Sequence, residues 1–199
     1  VISRHYSEAA NAQNPALAML NGAVARQAEL IAKWQLLGFV HGVMNTDNVL
    51  LSGDTVDYGP CAFIDEFHPD KVFSSIDHQG RYAYRNQPAI AHWNLSNLAQ
   101  AMLPIIDKDQ EQAIALAQES INAFPDLFEA AHRAGMNQKL GLTTTHEGDE
   151  RLIEDLLTLM SDEKADFTLT FRRLADLADE GSAVSVAHLY EFSAAFQPW

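Results

Sequence analysis

The sequence predicts a mainly α-helical chain carrying one small β-hairpin. Apolar residues recur at helical spacing through most of the 199 residues, and recognisable start and stop residues bracket those stretches. Val49-Leu50-Leu51 and Thr55-Val56 are short strand-like runs around Ser52-Gly53-Asp54, whose small and polar residues suit a tight hairpin turn.

The first long helix is bounded at both ends. Asn14-Pro15 supplies a capping side chain and a proline at the first helical position, and Gly38 supplies the stop. Between them Leu17, Leu20, Val24, Ala28, Ile31 and Leu36 fall near a helical period, leaving Arg26, Glu29 and Lys33 for the other face. At 1.5 Å per residue such a helix runs about 35 Å and delivers the chain to His41.

From Asp57 to Pro88 the chain reads as loop, with Phe67, Phe73 and Tyr84 as packing anchors. A helix over Trp93 to Ile106 then carries Leu95, Leu98, Ala99, Met102 and Ile105 as a buried stripe. Four more helices are expected over 109–123, 125–140, 147–161 and 165–180, and a short one over 184–195. Asp109 and Asp126 suit acidic first turns, and Gly141 suits a stop. The acidic run Asp149, Glu150, Glu154 and Asp155 reads as a solvated helix face.

Composition narrows the function. With 47% hydrophobic residues the chain has enough apolar mass for one core, so residues 1–199 are expected to form a single helical lobe. A net charge of −14, with 13 Lys and Arg spread along the chain, argues against a nucleic-acid partner, because a phosphate backbone is bound by clustered cations. No apolar run approaches the roughly 18 residues of a membrane span and no signal-peptide pattern opens the sequence, so no membrane partner and a cytoplasmic location are expected. Cys61 is the one cysteine and cannot form a disulfide within the chain.

The chemistry concentrates in His41-Gly42-Val43-Met44-Asn45-Thr46-Asp47-Asn48 and in Asp57-Tyr58-Gly59. Magnesium is a hard cation that takes oxygen ligands, and Asn48 and Asp57 can supply an amide and a carboxylate oxygen. A hairpin between them would return Asp57 beside Asn48, and Gly59 would let the chain turn sharply after the ligand. An Asp-Asn pair in a loop, an apolar hairpin and an Asp-aromatic-Gly turn are how kinase-like folds build a magnesium site beneath the phosphates of ATP. In the usual kinase loop the catalytic Asp stands two residues after the His. Here that position is Val43, and the carboxylate stands at Asp47, beside the metal Asn.

That combination resembles the selenoprotein O family, kinase-fold proteins understood as protein adenylyltransferases. Further matching text is Gly80-Arg81-Tyr82-Ala83-Tyr84, Asn86-Gln87-Pro88-Ala89-Ile90, Trp93-Asn94-Leu95, Arg133-Ala134-Gly135-Met136, Lys139-Leu140-Gly141-Leu142 and Asp166-Phe167-Thr168 through Leu174. The resemblance implies the C-terminal lobe of a protein-kinase-like fold, with Asp47 as proton acceptor and Asn48 and Asp57 holding Mg2+ or Mn2+, Asp57 also lying close to the nucleotide. It implies ATP as substrate and protein hydroxyl side chains as acceptors, with the nucleotide reversed relative to ordinary kinases. It also implies a redox role for Cys61, since some relatives are controlled by a disulfide to the carboxyl-terminal tail. A small core residue is the plainer reading of Cys61.

An upper, nucleotide-clamping lobe is not legible here. No Gly-x-Gly-x-x-Gly occurs and Lys33 lies within a helical pattern. By resemblance that lobe lies upstream of Val1, so the isolated chain is expected to be inactive. Two function classes follow: the catalytic lobe of a Mg-ATP-dependent transferase moving AMP to Ser, Thr or Tyr hydroxyls, or an inert pseudokinase that binds nucleotide or acts as a scaffold. Loss of the usual Asp at Val43 motivates the second. Retention of Asp47, Asn48 and Asp57 favours the first.

Other polar residues divide less sharply. His68-Pro69-Asp70 and Ser74 to His78 fit no zinc spacing and read as turn and capping residues, and His132 and His146 are lone histidines. Arg81, Asn86 and Gln87 have two readings, as groups orienting phosphate or an acceptor hydroxyl and as structural anchors.

Overall fold

A computed structural model of the chain describes residues 1–144 and 146–178. The expected helix over 184–195 lies outside them. The described part is mainly helical: a short α1 (Ile2–His5), the long α2 (Pro15–Leu37), α3 (Gln87–Ile106), α4 (Gln110–Asn122), α5 (Phe124–Lys139), α6 (Asp149–Asp162) and α7 (Phe167–Ala178). Its sheet is one antiparallel pair, β1 (Phe39–Val40) with β2 (Ala62–Phe63), in the register Phe39 to Phe63 and Val40 to Ala62.

The end signals of α2 act as its sequence predicts. The Asn14 side chain accepts a hydrogen bond from the Leu17 amide at 3.1 Å, Pro15 stands in the first turn, and Gly38 closes the helix at φ 67°. Asp109 caps α4 by accepting from the Gln112 amide at 3.0 Å, and Asp166 does the same for α7 through the Leu169 amide at 2.8 Å. The third helix departs from expectation by starting at Gln87 rather than Trp93. Pro88 does not end a loop but occupies the first helical turn, where a missing N–H costs nothing.

Two apolar clusters hold the lobe. The first joins one face of α2, including Leu20, Val24 and Ile31, to Leu95 and Met102 of α3 and Ala117 and Ile121 of α4. The second gathers Ile64, Phe67, Tyr84, Met136, Leu156, Met160, Phe167 and Phe171. The expected anchors Phe67 and Tyr84 are buried, and Phe73 packs against the second cluster. Gly38 sits where the clusters meet, since a Cβ there would lie 2.7 Å from the Phe167 ring.

The expected hairpin is the main correction. Strands do not form at 49–51 and 55–56; the segment makes a turn in which the Gly53 amide donates to the Leu50 carbonyl at 3.1 Å. Several of its polar groups bond to side chains of α2 and to Tyr6 rather than across a strand pair. Gln27 Nε2 donates to Leu50 O at 2.8 Å, Trp34 Nε1 donates to Thr55 Oγ1 at 3.0 Å, and Arg26 Nη1 reaches Ser52 O at 3.4 Å. The Tyr6 hydroxyl takes the Leu51 carbonyl. Backbone groups that side chains already satisfy have no need of a strand partner. The real pair, β1 with β2, lies outside this segment and closes the base of the whole 41–61 excursion.

Candidate functional site

The excursion from His41 to Cys61 carries the candidate base and cation ligands Asp47, Asn48 and Asp57, and β1 and β2 pin its two ends. Its organiser is His41, which is fully buried. The imidazole stacks on the Trp34 indole with ring centres 5.2 Å apart. Nε2–H donates to the Val56 carbonyl at 2.7 Å, while Nδ1 accepts from the Val43 amide at 3.4 Å. One neutral tautomer satisfies both contacts. His41 therefore ties the start of the loop to the peptide that precedes Asp57.

The loop then forms a single 3-10 turn over Thr46–Asn48. Asp47 is exposed at the middle of that turn. Asn48 is half-buried and donates from Nδ2 to the Val43 carbonyl at 3.1 Å, which leaves its amide oxygen as the group able to meet a cation. Val43 thus supplies backbone contacts to both His41 and Asn48.

Asp57 is exposed and adopts a left-handed conformation at φ 58°. The sharp turn expected at Gly59 belongs to Asp57 itself, a residue type that tolerates this region. Gly42 is the position nearby that demands glycine: its φ is 85°, and a Cβ would lie 3.1 Å from the Pro60 carbonyl oxygen. Cys61 is half-buried against the first cluster, and its thiol donates to the Tyr58 carbonyl at 3.2 Å.

The candidate cation ligands fit magnesium by chemistry. Asn48 and Asp57 offer oxygen donors only, the set a hard cation takes. Among the described residues no group of three or more His, Cys, Asp or Glu gathers as a metal cage. A cation held at two protein oxygens would need phosphate oxygens and water to complete its shell, as magnesium in nucleotide sites commonly does.

Gln87 resolves to a structural role. Its side chain is fully buried, donating to Phe39 O and accepting from the His41 amide, each at 2.9 Å, much as a neighbouring strand would. Asn86 donates to Gly80 O at 2.8 Å, and Arg81 stays exposed. Beneath the loop, buried Asn94 on α3 donates to the Met44 carbonyl at 3.0 Å. Asn94 and Gln27 were not singled out from sequence. The signal available was an amide side chain lying on an otherwise apolar helix face. The polar groups at His68 and Asp70 are spent locally: His68 Nδ1 accepts from the Asp70 amide, and Asp70 pairs with Arg85 at 2.7 Å.

Comparison with known proteins identifies the family. The family model described as protein adenylyltransferase SelO matches residues 1–196. The protein nucleotidyltransferase YdiU of Bradyrhizobium diazoefficiens is 54% identical over 199 residues, covering 100% of this chain and 40% of that protein. The YdiU protein of Agrobacterium fabrum is 56% identical over 179 residues, covering 90% of this chain and 37% of the relative. The chain thus spans about 40% of the length of such curated relatives.

Proposed function

The chain belongs to the protein adenylyltransferase SelO family, and from that premise we propose that it is the lower, catalytic lobe of a larger kinase-like enzyme that transfers AMP from ATP to Ser, Thr or Tyr hydroxyls of proteins. One observation carries the reading. Asp47 and Asn48 share a single 3-10 turn, and the His41 ring couples the loop bearing them to the peptide before Asp57.

The reaction needs a base, charge neutralisation and alignment. The acceptor hydroxyl oxygen attacks the α-phosphorus of ATP, a new P–O bond forms, and the bond to pyrophosphate breaks. Asp47, exposed at the middle of the turn, takes the hydroxyl proton. Asn48 and Asp57 would hold Mg2+ or Mn2+, which when bound offsets negative charge on the phosphates. His41, Gln87 and Asn94 act behind them by fixing the backbone from which these side chains project. Upstream residues of the longer protein would clamp the base and the remaining phosphates.

Among the described residues no helix is long and apolar enough to cross a membrane. A cytoplasmic location is part of the proposal. The test is full-length protein incubated with ATP labelled separately at the α and γ phosphates. Only the α label should reach protein. A γ label would indicate a conventional kinase, and bound ATP with no label on protein would indicate the scaffold class.

A further inference from the structure

A cleft of about 360 Å3 opens beside the loop, lined by Val43 and Asn45 on one side and by Ser74, Asp77, Arg81 and Tyr82 on the other. Its second wall is a built structure. Asp77 accepts from the Arg81 and Tyr82 amides, both at 2.8 Å, so both carboxylate oxygens are engaged by backbone. The Tyr82 hydroxyl donates to Asn45 Oδ1 at 2.5 Å, which joins this wall directly to the residue preceding the Asp47 turn.

Arg81 is the cation of this cleft. Its guanidinium carbon lies 4.9 Å from the centre of the Trp93 ring and 5.7 Å from that of Tyr82. Arg85, Arg133, Arg151 and Arg172 each pair with a carboxylate, but Arg81 takes part in none of the ion pairs among the described residues. Stacking restrains a guanidinium through its face and leaves its N–H edge able to grip a planar carboxylate in two places. A chain of net charge −14 offers few such cations, and this one lines the cleft beside the Asp47 loop.

We propose that Arg81 is a specificity residue that reads an acidic side chain flanking the target hydroxyl of the acceptor polypeptide, which lies in the cleft lined by Val43, Ser74 and Arg81. This rests on the transferase reading above, because it assigns the polypeptide the place next to Asp47. The alternative occupant of the guanidinium is a phosphate of the nucleotide.

The test uses full-length protein and two synthetic peptides that differ only in carrying Glu or Gln beside a central Ser. Binding is followed by fluorescence anisotropy and AMP transfer by α label, for wild type, Arg81→Ala and Arg81→Lys. The expected result is a preference for the Glu peptide of about 2- to 5-fold, lost in Arg81→Ala, partly kept in Arg81→Lys, and seen in KM for peptide with KM for ATP unchanged. Equal binding of the two peptides by wild type overturns the inference, as does an Arg81→Ala effect confined to KM for ATP. Selective Glu-peptide binding without α-label transfer would support the cleft assignment while contradicting the transferase reading. Transfer without Glu preference would do the reverse.

Discussion

The His41 ring donates from Nε2 to the Val56 carbonyl at 2.7 Å, so the residue that opens the loop holds the peptide just before Asp57. His41→Phe keeps an aromatic ring against Trp34 but leaves that carbonyl and the Val43 amide without their partner. An orphaned buried polar group costs about 1–3 kcal/mol. Urea unfolding should show a loss of that order, and transfer by the full-length protein should fall with it. A stable variant with normal turnover would mean that His41 does not position Asp57.

Asp57 combines a left-handed backbone with a carboxylate, and the two can be separated. Asn tolerates the same backbone region, so Asp57→Asn should leave the thermal midpoint close to wild type. Transfer should nevertheless drop about 100- to 1000-fold, the scale for removing one electrostatic contact from a reacting centre. Assays at saturating magnesium decide it, and near-normal rates would remove Asp57 from the cation site.

Much of this was legible in the sequence, and the limits have physical causes. Asn48 and Asp57 stood out as candidates because ligand chemistry restricts residue type and separation, whereas the role expected of Asp47 rested on the family resemblance. The caps of α2 were legible because capping is local. The false hairpin at 49–56 was not avoidable in the same way. Whether a carbonyl pairs with a strand or with Gln27, Arg26 or Tyr6 is decided by a helix far away in sequence. Gln87 stayed open between two readings for a related reason: a buried amide that substitutes for a strand partner looks, in sequence, like one free to bind ligand.

Lys139 gives the lobe a pH dependence. Burial pushes its ammonium down to about 8 from an ordinary value near 10.5, although Nζ donates to the Leu36 carbonyl at 2.5 Å and lies 3.7 Å from the centre of the Phe171 ring. Between those values the unfolded chain binds more protons than the folded one, so stability should rise with pH from about 8 to about 10.5. Below 8 the cost is constant. Denaturant midpoints at pH 7.5 and 9.5, compared with Lys139→Met, check this; an identical slope in the variant would assign the effect to another group.

The isolated chain should bind ATP poorly, because the residues proposed to hold nucleotide here amount to two oxygen donors on an exposed loop. Calorimetry with magnesium and ATP should give no micromolar binding. Micromolar affinity would mean that the nucleotide site is complete within these residues.

The central claim is that Asp47 is the base of a nucleotidyl-transfer centre built on the Thr46–Asn48 turn. Asp47→Asn preserves size and hydrogen-bonding shape and removes the proton acceptor, so α-label transfer by the full-length protein measures it directly. Loss of at least about 100-fold with ATP binding and thermal midpoint unchanged is the predicted result. Transfer within a few-fold of wild type would contradict it.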